Sequence, residues 1–86
     1  MSFSLIVSRA AVKEFLAMPK REREQMKTRL EAIASEPEGS HPSVMAMKGE
    51  PVGRFRVRQG DWRAVYTLID RDVVVIRIAH RREVYD

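Results

Sequence analysis

Apolar and polar positions recur along this chain with two periods, helical in the first half and alternating in the second. Residues 3–8 are a short β-branched and aromatic run that stops at Ser8. A serine hydroxyl can cap a following helix, so strand and then helix are predicted. Over residues 9–18 the apolar Val12, Phe15 and Leu16 recur at helical spacing, and Pro19 closes the segment because the residue before a proline avoids helical backbone. Pro19 is also suited to begin a second helix. The expected buried stripe of that helix is Met26, Leu30, Ile33 and Ala34, with Lys, Arg and Glu filling the other side. Together these segments predict a helical hairpin with one buried side.

Residues 36–43 hold two prolines, a glycine and no large apolar residue, and must be a loop. Beyond it the period is two. Residues 44–48 are expected as a short strand, and residues 53–59 put Phe55 and Val57 on one face with Arg54, Arg56 and Arg58 on the other. Gly60-Asp61 supplies a turn. Residues 62–69 then continue the alternation, with Trp62, Ala64, Tyr66 and Leu68 on one face and Arg63, Val65 and Thr67 on the opposite one. After a second turn at Asp70-Arg71-Asp72, residues 73–79 are the most strongly β-branched run in the chain. They are expected as the central, most buried strand, with Val74, Ile76 and Ile78 opposite Arg77. The predicted fold is α+β: an N-terminal strand, a two-helix hairpin, then a mainly antiparallel sheet of about four strands, covered by the helices on one face and open on the other.

Length and composition narrow this picture. A chain of 86 residues, with no internal repeat or linker, is expected to form a single domain spanning residues 1–86, so any function sits on the surface of one modest core. It has no cysteine, which rules out disulfides, a thiol nucleophile and a thiolate metal site, and agrees with life in the cytoplasm. The opening residues are apolar only briefly, and no stretch approaches the roughly 18 to 20 apolar residues of a membrane span, so neither secretion nor membrane insertion is expected. The net charge is +4. Residues 1–43 hold seven basic and six acidic side chains and residues 44–86 hold nine and six, so the excess lies in the stranded half. An anionic partner is the natural expectation.

That excess has a pattern. Arg54, Arg56 and Arg58 share a strand face, Arg63 and Arg77 carry the same polar face onto two more strands, and Arg81, Arg82 and Tyr85 extend it into the C-terminal tail. Guanidinium keeps its charge at physiological pH and offers a fork of donors that matches phosphate oxygens two at a time. An open sheet face must carry polar side chains, and arginine discourages strand-edge association, so no single one of these residues is informative. Their convergence is, because Glu50, Asp61, Asp70 and Asp72 all fall in predicted turns. Trp62 and Tyr66 have the parity of core residues, and His41 reads as a solvated loop residue. His80 lies between the last strand and the arginine pair. Two histidines so far apart make no metal site, and no cofactor is implied.

The segments Arg58-Gln59-Gly60-Asp61-Trp62-Arg63-Ala64-Val65-Tyr66 and His80-Arg81-Arg82-Glu83-Val84-Tyr85, with Met47-Lys48-Gly49 before them, resemble the RelE family of the RelE/ParE superfamily of bacterial toxins. The resemblance covers nearly the whole chain. It implies a fold like that of compact microbial ribonucleases and the toxin role in a toxin–antitoxin system, as an endoribonuclease that cuts mRNA on the ribosome. It also implies a cognate antitoxin bound in a hetero-oligomer. Such a reaction needs a base for the ribose 2′-hydroxyl, positive charge for a phosphorane-like transition state and an acid for the departing 5′-oxygen. The resemblance gives the transition state to Arg56 and Arg63, the base to Tyr85 and the leaving-group side to Arg81, with His80 a second candidate base. Substrate binding falls to Arg54, Arg58, Lys48, Arg77, His80 and Arg82. Positions 54 and 56 carry arginine where the family has lysine; the charge survives, but a group that could lose its proton near neutrality is gone. The ParE branch, which inhibits DNA gyrase without nuclease chemistry, stays open as the alternative.

Overall fold

In the computed structural model, which describes residues 3–48 and 53–82, the chain runs β1 (Ser4–Val7), α1 (Arg9–Leu16), α2 (Lys20–Ser35), β2 (Val44–Ala46), β3 (Arg54–Gln59), β4 (Trp62–Ile69) and β5 (Asp72–His80). Ser8 makes the first corner as its hydroxyl suggests: Oγ accepts the Ala11 N–H at 3.1 Å and caps α1. Helix α1 ends at Leu16, two residues short of the expected limit. Its buried side is also rotated from expectation, since Ala11 is buried and Phe15 packs on the core while Val12 and Leu16 are exposed, Leu16 to 62%. On a helix of two turns the apolar spacing fits either of two neighbouring faces, and small Ala11 allows the closer approach. Met18, just past the helix, goes into the core instead. Helix α2 buries Met26, Leu30, Ile33 and Ala34, the stripe its periodicity predicts.

The five strands form one sheet in the order β1-β5-β4-β3-β2. All neighbours are antiparallel except β1, which lies parallel to β5 at one edge. The middle strand is thus β4, not β5. Strand β5 nonetheless buries more of its residues than any other, because it is paired on both sides over its first half and covered by α1 over its second. Its alternation also differs from the expected one. The ladder pairs Tyr66 with Val75 but Val65 with Arg77, so Ile76 is left over as a bulge and the inward parity resets there. The residues buried in the core are Val73 and Val75 before the bulge and Ile78 after it, in place of Val74, Ile76 and Ile78.

Helix α1 completes what the bulge leaves open. Strand β1 stops pairing at Val75, and beyond that point β5 needs other partners along this edge. Ser8 Oγ donates to the Ile76 carbonyl at 3.3 Å, and Glu14 Oε1 accepts the Ile78 N–H at 2.8 Å. Strands and helices meet in a core of Met26, Leu30 and Ile33 over Val57, Ala64, Tyr66, Val73, Val75 and Ile78. Phe55 stacks on Tyr66 at 5.3 Å between ring centres, and half-buried Trp62 packs against the same cluster, so Tyr66 is a core residue and Trp62 lies on the core side, as their parity predicts. Among the described residues no helix is long and apolar enough to cross a membrane.

Candidate nucleic-acid interface

Strand register fixes what the opposite sheet face carries. Val57, Ala64 and Tyr66 point into the core, so their neighbours Arg56, Arg58, Arg63, Val65 and Thr67 point the other way. Arg58 is directly across from Arg63, Arg56 from Val65, and Arg54 from Thr67. Val65 then pairs with Arg77 and Arg63 with Ala79 on β5. Val65 and Ala79 are buried yet lie outside the core cluster, on the arginine-bearing face.

Arg56, Arg58, Arg63 and Arg81 converge on one depression of about 380 Å³, bounded on its far side by Pro42 and Ser43 of the loop and Val44 and Met45 of β2. Three structural elements supply the four cations. The Arg63 guanidinium is held by the hairpin it follows, Nη1 donating to the carbonyls of Gly60 at 2.8 Å and Trp62 at 3.0 Å. Gly60 adopts positive φ in that turn, where a side chain would be strained. Arg56 Nη2 contacts Met45 Sδ at 3.5 Å. Arg81 is brought alongside by its backbone N–H, which donates to the Asp61 carbonyl at 2.7 Å, and its Nε lies 3.6 Å from Asp61 Oδ1. Both side chains of that pair are exposed, so it contributes little to stability and leaves the cluster strongly positive.

The electrostatics agree with the geometry. Partial burial lowers the Arg63 pKa below the usual guanidinium value, and the charges of Arg56, Arg58 and Arg81 lower it further against a smaller opposing pull from Asp61. Like charges directly across a ladder, as in Arg58 and Arg63, are destabilising. Such a surface stores repulsion that an anion would relieve, and forked donors at this spacing suit phosphate oxygens.

None of the other sequence-derived candidates among the described residues lines this depression. Arg54 shares the arginine face two residues along β3 from Arg56, and does not line the depression. Arg77 has the right register but turns to Glu14 of α1, with Nε 3.8 Å from Oε2, so a helix supplies a carboxylate that the turn-bound acids did not foretell. His80 pairs with Trp62 and so sits on the core-facing side; its ring is edge-on to Trp62 at 5.4 Å, and Nδ1 accepts the Arg82 N–H at 3.3 Å. Lys48 and Arg82 are exposed and outside the lining. Tyr85 lies outside the described residues. His41, expected to be merely solvated, contacts the Glu36 carbonyl through Nε2 at 2.7 Å and helps close the loop. Among the described residues no cluster of His, Cys, Asp and Glu could hold a metal ion.

Arg29, Ser43 and Met45 did not emerge from sequence reasoning. Arg29 of α2 donates to Gln59 Oε1 and to Ser43 Oγ, Gln59 Nε2 donates to Gln25 Oε1 at 2.6 Å, and the Arg58 N–H donates to the Ser43 carbonyl at 3.0 Å. These bonds fix the loop wall to the end of β3. The alternation of β2 could have suggested Met45, but only its pairing with Arg56 puts it beside the cations.

A family model described as the ParE toxin of the type II toxin–antitoxin system parDE matches residues 5–85. No curated protein sequence matches the chain. Its fold is similar to the RelBE2 toxin–antitoxin complex of Mycobacterium tuberculosis, with a TM-score of 0.77 at 21% identity, covering 94% of this chain and 100% of that one. An arginine-to-alanine mutant of the Escherichia coli toxin RelE gives 0.76 at 26% identity, with coverage of 93% and 84%. The YoeB/ParE toxin of Agrobacterium tumefaciens gives 0.75 at 15%, with coverage of 90% and 97%. An arginine-lined sheet face on this fold, with a family match over nearly its whole length, makes the chain a member of the ParE toxin family, within the RelE/ParE superfamily of toxins of type II toxin–antitoxin systems.

Proposed function

We propose that this toxin is a metal-independent endoribonuclease that cuts mRNA on the translating ribosome in the cytoplasm and so inhibits translation. The observation that carries the reading is the meeting of Arg56, Arg58, Arg63 and Arg81 at one depression. In the reaction the ribose 2′-oxygen attacks the adjacent phosphorus, a base takes the 2′-hydroxyl proton, and the bond from phosphorus to the 5′-oxygen breaks as that oxygen gains a proton. A 2′,3′-cyclic phosphate and a 5′-hydroxyl result. Negative charge builds on the non-bridging oxygens in the transition state, where Arg56 and Arg63 offer fixed donors. Arg81 stands on the leaving-group side. Tyr85 is the base by its place in the family motif, a phenol whose ordinary pKa is near 10. His80 is the weaker candidate because its Nδ1 already accepts a backbone N–H. Groups so poorly matched to acid–base work at neutral pH need a partner that positions the substrate, and the ribosome does that.

A cognate antitoxin in a hetero-oligomer belongs to the same reading. It is supported by the family's description and by similarity to solved complexes such as RelE-RelB of Pyrococcus horikoshii. The test is mapping of mRNA ends on translating ribosomes. Arg63→Ala and Tyr85→Ala are each expected to reduce cleavage about 10²-fold or more. Toxicity that persists in both variants while DNA supercoiling fails would sink the nuclease reading in favour of gyrase inhibition, the alternative reading.

A further inference from the structure

The depression has two chemically different walls. One is the four arginines; the other is formed by Pro42 and by Met45, which is 62% exposed. Strand β2 pairs Val44 with Val57 and Ala46 with Phe55 on the core side, so Met45 projects onto the arginine face beside Arg56. A solvated strand position next to a cation cluster would be served by any polar residue, and a large thioether there raises the cost of exposure. Nor is this wall loose: Arg29 and the Arg58 N–H both hold Ser43, between Pro42 and Val44, so the wall is ordered before any ligand arrives.

A nucleotide presents these two chemistries side by side, an anionic phosphate and a flat apolar base. We propose that Met45, backed by Pro42, is a nucleobase platform, so that the depression takes a whole nucleotide with its phosphate on the arginines and the adjoining base against the thioether. The inference rests on the reading of RNA as the ligand. Sulfur makes favourable contacts with aromatic rings, and a flexible methionine adapts to purine and pyrimidine alike. It adds affinity without reading base identity, as stacking surfaces do.

The test is a binding cycle on the intact protein with a short 2′-O-methyl RNA, which binds but has no attacking hydroxyl. Two forms are compared, one complete and one lacking a single base. Met45→Ala is expected to weaken binding of the complete RNA about two- to tenfold and to leave the abasic RNA unchanged, with Met45→Leu restoring most of the loss. Equal weakening of both RNAs, no weakening of either, or no measurable RNA binding by the unaltered chain overturns the proposal. Cleavage on ribosomes is followed in parallel. A chain that passes the binding cycle but never cuts mRNA keeps its platform and loses the nuclease reading.

Discussion

Arg58 and Arg63 show at single-residue scale how this protein sets function against stability. They face each other across the ladder, and Arg63 is already short of the solvation a guanidinium prefers. Arg58→Gln should therefore raise stability by about 0.2 to 1 kcal/mol, a gain of a few degrees in Tm by calorimetry, while weakening RNA binding. A fall in Tm would mean that the repulsion is not there. Tyr66 makes a different residue-level statement. Burial raises its pKa above 10.0, so the phenol is no candidate for the base. Below pH 10 Tyr66 is protonated in both folded and unfolded chains and its contribution is complete. As pH rises above that, the unfolded chain ionises first, and stability falls until the folded-state pKa is passed. Urea titrations between pH 9 and 11 should show this fall, and Tyr66→Phe should flatten part of it.

Among the elements, β5 and α1 are one unit. Pairing of β5 with β1 ends at Val75, and Ser8 and Glu14 supply the partners beyond it. Ser8→Ala removes both the cap on Ala11 and the bond to Ile76, and should cost about 1 to 2 kcal/mol, read as a drop in urea midpoint with unchanged slope. Glu14→Gln keeps an oxygen for the Ile78 N–H but releases Arg77, so it should spare stability and increase RNA binding modestly. How much could be read in advance follows from the same elements. In α2, four turns of periodic sequence specify one face, and all four stripe residues are buried. Strands β3 and β4 were legible in face and extent because strict alternation meets a two-residue turn at Gly60-Asp61. Helix α1 was not, being too short for its spacing to select a side. Nor was β5, where an extra residue inserted by tertiary packing leaves no mark on a uniformly β-branched run. The arginine rows could be predicted because alternation alone puts them on one face. The loop wall could not, since Arg29, Ser43 and Met45 meet it only through long-range pairing.

For the molecule as a whole, one face holds the core and the other the charge, and the two are linked through the sheet. An oxyanion that binds the folded chain alone will stabilise it by mass action. Inorganic phosphate should therefore raise Tm more than chloride at equal ionic strength, and Arg63→Gln should abolish the difference; equal effects of the two salts would mean screening without a site. The pairing of β1 with β5 carries a last consequence. Ser4 to Val7 find their partners only at Asp72 to Val75, so one edge of the sheet joins segments far apart in sequence. Joining segments so distant in sequence is also intrinsically slow. Docking of β1 is therefore expected to be the slow step that gives the sheet its last edge, while the arginine depression, which takes no residue from β1, is built from local hairpins.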